Sequence, residues 1–383
     1  MSIISLIGIT VGVSALLITL AVMNGFQYGL KEKILQTTPH IVILKVANKF
    51  WESEYKDVAK KIKNIKDIQD FEPFIYSQAL ASVGKNVQSV FIRGVLPEKD
   101  RRIMGVDKKI VKGNYEDFFK PKTAIIGQEL AFILNINIGD KINLISPFGK
   151  RTPFGYMPNI MPVKVVAFAN FGMYEYDSSY VSLNLKDAQK LLNMENQITG
   201  VQIKLNDPYK AEEVASKLEN MFPFPFLIRT WIDLNKSLFQ ALKFEELAMF
   251  LVIALIVLVA SFNISSLLIT KSREKRKDIA IMKTIGAKNS FILKVFLWQG
   301  LIIGIAGTVL GVLIGIFVIY VADTYHLIKL NPQVYMMEYL PLKISIIDIG
   351  VVVASSLIIC FISSILPAYF ASKEIPAEML RYE

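Results

Sequence analysis

The chain has 383 residues, 53% of them hydrophobic, and its mean hydropathy of +0.42 excludes an ordinary soluble protein. The net charge of +10 would suit nucleic acid. However, eight of the basic residues crowd into 271–294 beside an apolar run, and no base-stacking or groove-reading motif accompanies them. A single cysteine, Cys360, excludes an intrachain disulfide and a cysteine zinc site, and His40 and His326 stand too far apart in sequence to suggest a histidine metal site.

In chain order, four apolar stretches (3–23, 247–269, 295–322 and 349–366) reach the length of about 20 helical residues that a bilayer crossing needs. The first reads as a retained membrane helix rather than a signal peptide. No basic segment precedes it, and no small-x-small cleavage site follows before Asn24. Only Met1 and Ser2 stand ahead of it, so the start is expected to have been placed late or an N-terminal piece to be missing.

The long segment 24–246 reads as mixed α/β. Strand patterns at 41–44 and 89–96 flank a helix at 54–65 with Val58, Ile62 and Ile65 on one face; a second set follows at 201–205, 209–222 and 226–231. The two sets predict one α/β subdomain with a β-richer subdomain inserted into it. Inside the insert, SPFGKRTPFGYMPNIMP (146–162) holds four prolines and two glycines, which predicts an extended loop between strands at 141–146 and 163–168. Its Phe148, Phe154, Tyr156 and Met157 leave two readings open, a loop folded on its own domain or a partner-binding arm.

Seven Lys or Arg between Lys271 and Lys288 face only Glu274 and Asp278. The other short loop, 323–348, carries just Lys329 and Lys343, so the basic loop is expected in the cytoplasm. Counting crossings then puts the amino terminus and 371–383 inside and 24–246 outside. Ile279, Met282 and Ile285 recur at three-residue spacing, predicting a short amphipathic helix with Gly286 as its C-cap and Ser290 capping the next span. Its apolar side would rest on lipid headgroups or insert into a groove of a cytoplasmic partner; composition does not separate the two. Further on, Gly300 with Gly304, and Gly307 with Gly311 and Gly315, form small-residue ridges for close helix packing, a device that Gly8 and Gly12 repeat. GxxxxGK[ST], GxSxG and HExxH motifs are all missing, and no spacing of carboxylates singles out a catalytic pair.

EKRKDIAIMKTIGAK followed by LWQGLIIGIAGTVLGVLIG, with LPAYFASKEIPAEMLRYE at the end, resembles the FtsX-like permease region of type VII ABC transporters. VMNGF (22–26), FGMYEYDSSYV (171–181), TWIDLNKSLFQALKFEE (230–246) and the closing LRYE are similar to lipoprotein-releasing permeases of the Lol type.

The resemblance implies a multi-pass bacterial inner-membrane protein. It would have four transmembrane helices, with a large periplasmic α/β domain of two subdomains between the first and second. The implied divisions are a first span at 1–26, a MacB-like periplasmic core at 27–245 and an FtsX-like permease region at 246–383. It implies no catalysis by this chain, since ATP and Mg would be held by a cytoplasmic ABC ATPase dimer. The further implied partners are a second permease copy or homologue, membrane lipid, lipoprotein substrates and a periplasmic lipoprotein carrier.

Family roles carried onto matching positions give three implied sites. Glu274, Lys275, Arg276, Asp278, Ile279, Met282, Lys283, Ile285 and Gly286 form the coupling helix on the ATPase. Pro147, Phe148, Thr152, Pro153, Phe154, Gly155, Tyr156 and Pro158 form a hook for the carrier. Met23, Phe26, Phe244, Leu247 and Phe250 line the lipid path. The family's usual basic amphipathic helix before the first span has no counterpart here. Two alternatives stay open: a macrolide-exporter-like or division-type mechanotransmitter permease, and a membrane-anchored enzyme, which would need a convergent polar site.

Overall fold

The computed structural model describes residues 2–46, 50–152, 155–331, 337 and 339–373; side chains at 2–5, 150–152, 155–156, 250 and several positions from 253 to 263 lie outside that description. Pro153, Phe154 and the closing LRYE are therefore outside it as well. The chain divides into two compact units. One comprises Met1–Gly29, Gln240–Lys329 and Tyr339–Glu383, and the other Leu30–Phe239 and Leu330–Glu338.

The chain opens with α1 (Ser2–Thr37), β1 (Ile41–Lys45), β2 (Phe50–Trp51), α2 (Glu52–Ile62), β3 (Ile68–Val83), β4 (Asn86–Val95) and α3 (Pro97–Ile103). Next come β5 (Ile110–Gly113), β6 (Thr123–Gly127), α4 (Gln128–Leu134), β7 (Lys141–Thr152), β8 (Gly155–Ala169), α5 (Tyr174–Asp177), β9 (Tyr180–Asn184) and α6 (Leu185–Leu192). The first unit of sheet closes with β10 (Gln197–Ile198), β11 (Gly200–Leu205), α7 (Ala211–Met221), β12 (Phe226–Thr230) and α8 (Trp231–Leu234). The remaining helices are α9 (Lys236–Glu274), α10 (Arg276–Thr284), α11 (Asn289–Thr324) and α12 (Ile346–Lys373).

In the sheet-bearing unit, strands run in the order β12-β1-β11-β3-β4-β9-β6-β8-β5, and β7 pairs with both β3 and β8. The last pairing closes a ring, β3-β4-β9-β6-β8-β7, so these six strands leave no open edge among themselves. Ala79, Ala81, Val90, Ile92, Leu144, Val163, Val165 and Val181 are buried in its core. Helix α6 adds Leu185, Ala188, Leu191 and Leu192 to the same cluster. A Cβ on Gly94 would collide with Ala188, so glycine sets the approach of α6 to β4.

The other half of the sheet is antiparallel: β1 lies between β12 and β11, and β11 pairs with the first part of β3. Helices α2 and α7 cover it. Each starts with acidic residues (Glu52 and Glu54; Glu212 and Glu213), and α2 ends with Lys60 and Lys61, charges that favour the helix dipole. Val58 and Ile62 of α2, and Val214 and Leu218 of α7, are buried, each worth about 1.5–3 kcal/mol of apolar transfer. Strand β3 is long enough to serve both halves. Phe71–Phe74 pair with β11, and Ile75–Val83 pair with β4.

The expectation of four spans is corrected. Among the described residues, three helices are long and apolar enough to cross a membrane: Leu6–Thr37, Asn289–Thr324 and Ile346–Lys373. The stretch 247–269 falls inside the 39-residue α9 instead. Lys243, Glu245 and Glu246 precede that stretch, Lys271, Arg273 and Glu274 follow it, and several of its side chains lie outside the described set, so it is not among the three. The loop expected at 146–162 is also revised, because β7 and β8 form a hairpin paired out to Thr152 and Gly155.

Candidate functional site

In the helical unit, the glycines of α11 face two neighbours. A Cβ on Gly300 would overlap the Ser364 hydroxyl, and one on Gly304 would stand 2.7 Å from Cys360 Sγ, both on α12. On the α1 side, a Cβ on Gly307 would stand 2.8 Å from Ile9, one on Gly311 2.7 Å from Val13, and one on Gly315 3.2 Å from Leu17. Thr10 Oγ1 donates to the Gly307 carbonyl at 3.3 Å, and Thr308 and Ser356 hydroxyls meet at 2.8 Å. Small residues bring the backbones together and hydroxyls satisfy one another across them. Gly12, in contrast, has open space around it.

The segment joining α11 to α12, together with the first turn of α12, also grips α1. The Lys343 N–H donates to the Ala21 carbonyl at 3.1 Å, and Asn24 Nδ2 donates to Asp348 Oδ2 at 2.9 Å. Gly25 is in contact with the Pro341 carbonyl, and the Lys343 ammonium lies 3.0 Å from the centroid of the Tyr28 ring.

Helix α10 ends as its sequence dictates. Gly286 adopts φ +104°, and the Ala287 N–H reaches back to the Met282 carbonyl at 3.0 Å while the Gly286 N–H reaches Lys283. The following helix starts at Asn289 with Lys288, not Ser290, at its N-cap. Along α10, Ile279 is buried at 2% exposure, Met282 is half-buried and Ile285 is 82% exposed. The Lys283 ammonium donates to the Ser372 carbonyl at 2.6 Å, tying the helix to α12. The Lys275 ammonium donates to Asp278 at 2.8 Å, which holds it above its ordinary range. Glu274 and Arg276 are exposed.

In the β7–β8 hairpin the register shifts between Ser146 and Lys150, with Pro158 facing the shifted residues. A Cβ on Gly149 would collide with the Met157 carbonyl, so the two strands touch there through glycine. Asn159 Nδ2 donates to the Lys190 and Leu191 carbonyls at 2.8 and 2.9 Å, anchoring the hairpin's base to the end of α6. Phe148 and Met157 are exposed at 55% and 66%. Thr152, Gly155 and Tyr156 are placed on the strands by backbone alone.

Of the lipid-path residues, Met23 is buried, Phe26 half-buried, and Phe244 and Leu247 are exposed; the Phe250 side chain lies outside the described set.

One group the sequence reading missed is a buried polar network in the sheet. Arg93 donates to Gln202 at 2.8 Å and lies 3.2 Å from Asp100; Gln202 donates to Glu72 at 2.5 Å. Burial raises both carboxyls, Glu72 well above its ordinary value, with Asp100 reinforcing Glu72. Where they meet across strands the residues are 109 and 130 positions apart, and no local spacing signals that.

Residues 2–221 match the MacB-like periplasmic core domain, and 250–376 match the FtsX-like permease C-terminal region, which together define a membrane permease. Among similar proteins are the lipoprotein-releasing system transmembrane protein LolC of Neisseria meningitidis serogroup B, 32% identical over 99% of this chain and 94% of that one, and LolC of Xylella fastidiosa, 31% identical over 99% and 93%. LolE of Haemophilus influenzae is 30% identical over 98% of this chain and 93% of that protein. The chain belongs to this family of FtsX- and MacB-type permeases of the lipoprotein-releasing system. It is a multi-pass inner-membrane protein with a periplasmic domain.

Proposed function

We propose that this chain is the non-catalytic permease subunit of an ATP-driven ABC transporter, lifting lipoproteins out of the inner membrane for a periplasmic carrier, while a separate subunit hydrolyses ATP. The observation that carries this reading is similarity to lipoprotein-releasing permeases over the full length, periplasmic and membrane parts together. In this reading two permease chains, identical or homologous, assemble with an ATPase dimer that holds ATP and Mg.

Three sites are assigned within it. Helix α10 couples to the ATPase. Ile285, exposed at the end of α10, is its apolar contact, whereas Ile279 holds the helix to its own chain. The β7–β8 hairpin is the carrier hook, with Phe148 as an exposed anchor. Met23, Phe26, Phe244, Leu247 and Phe250 line the acyl-chain path, and the α11 glycines pack the helices around it.

The test is reconstitution in proteoliposomes with the co-purifying ATPase, a triacylated lipoprotein and a soluble carrier. ATP should transfer lipoprotein to the carrier, and Ile285→Asp should strip the ATPase, because a carboxylate would be forced unpaired into an apolar contact. ATP-independent transfer, or transfer without this chain, would overturn the reading.

A further inference from the structure

Two adjoining clefts in the sheet-bearing unit share Gly105, Lys108 and Lys204. The larger, about 550 Å³, is walled by Asp70, Arg101, Arg102 and Asp107; the smaller, about 250 Å³, adds Lys109 and the end of α1. The two carboxylates are already engaged. Asp70 accepts from Arg102 Nε at 2.8 Å, and Asp107 lies 3.6 Å from Arg101 Nε.

The three lysines are left without such a partner. The Lys204 ammonium donates to the Arg102 carbonyl at 2.9 Å and that of Lys109 to the Gln36 carbonyl, both neutral acceptors. No described carboxylate lies within ion-pair distance of Lys108, Lys109 or Lys204. The walls of the clefts therefore hold three ammoniums with no carboxylate in direct contact; Asp70 acts on Lys204, and Asp177 and Asp100 on Lys109, from farther away. Burial, and then the charge of Lys108, lowers Lys204 against the pull of Asp70; burial lowers Lys109 to about 8, against the pull of Asp177 and with Lys33 and Arg93 adding to it.

We propose that this cleft binds a phosphate group, with Lys108 and Lys204 as its principal ligands and Lys109 as the third charge. A single carboxylate would answer only one of the three ammoniums, whereas a phosphate offers several acceptor oxygens and up to two negative charges. Ammoniums on flexible stems close around it as point charges. The phosphate is either free or the headgroup of a phospholipid, and the assignment does not rest on the transport reading.

The experiment is calorimetric titration of the full chain, delipidated in an uncharged maltoside detergent, with inorganic phosphate and separately with dihexanoylphosphatidylglycerol. Sodium acetate at equal ionic strength is the comparison. Binding by phosphate points to the free anion, and binding by the lipid alone to a headgroup; either supports the site. Lys108→Ala with Lys204→Ala should weaken that binding at least tenfold, while Lys56→Ala with Lys85→Ala, exposed lysines elsewhere in the unit, should leave it unchanged. Thermal melts show whether each variant is folded, and the single variants Lys108→Gln and Lys204→Gln replace the pair if it is not. Absence of heat with both ligands, equal binding of acetate, or undiminished binding by the folded lysine variants overturns the proposal.

Discussion

His40 shows how one buried ring ties stability to acidity. Its Nδ1 accepts the Leu205 N–H at 3.0 Å, which requires the neutral ring, and burial, with the Lys204 charge adding to it, lowers its pKa from 6.5 to about 4. An unfolded chain therefore binds a proton at this residue between pH 6.5 and about 4 that the folded chain refuses. The stabilisation is complete above pH 6.5 and is lost as the pH falls toward 4. It amounts to roughly 3 kcal/mol, each tenfold change in proton affinity being worth about 1.4 kcal/mol. Denaturant unfolding of the parent and His40→Asn from pH 7 to 4 should show a shallower acid loss in the variant; parallel curves would remove His40 as the cause. Gly311 gives a second residue-scale expectation. Gly311→Ala should destabilise by about 1–3 kcal/mol through overpacking against Val13 and the Thr10 carbonyl, read as a lower melting temperature in detergent. Gly12→Ala, with open space around it, should not.

Among the elements, the hairpin makes the sharpest prediction. Replacing 147–158 with a Gly/Ser linker should leave the ring of strands folded, because β7 still pairs with β3 through Asn143–Ile145 and β8 with β6. ATP hydrolysis should persist while transfer to the carrier fails and lipoprotein stays in the membrane. Carrier binding as tight as the parent's would make the hairpin a mere connection. The legible elements were those with a strong period. Val58, Ile62 and Ile65 at helical spacing predict α2 to within a few residues, and the pattern at 209–222 does the same for α7. The prolines of the hairpin argue against a ladder and predict a loop, yet Pro147 and Pro158 sit at the register shift, where regular pairing is suspended anyway. Strand β3 is illegible over most of its length because Pro73 and charges at Asp70 and Glu72 break its pattern, and buried Glu72 is held by the Arg93 charge, Gln202 and the Leu96 N–H. The α10 stripe was legible as three apolar residues, but which of them the chain itself buries depends on neighbours distant in sequence, as the Lys283 bond to Ser372 shows.

At the scale of the whole molecule, orientation is the property most open to direct test. A cysteine at Ser216, exposed in the periplasmic domain, should react with an impermeant maleimide in spheroplasts, whereas one at exposed Lys275 should react only after permeabilisation. The native Cys360, 2% exposed, should stay silent in both. Labelling of Lys275→Cys from outside would invert the assignment.

Strand β3 has a mechanical side. It is a single 16-residue rod to which β11 is fastened at one end and β7, the hairpin's own strand, near the other. A tug on the hairpin along its length loads the β7–β3 rungs side by side rather than one after another, and β3 hands the tension to β11 and on to β1, three residues beyond the end of α1. Separating those strands would mean breaking a row of hydrogen bonds together, so the hairpin and the root of α1 are joined by a tether that resists stretching.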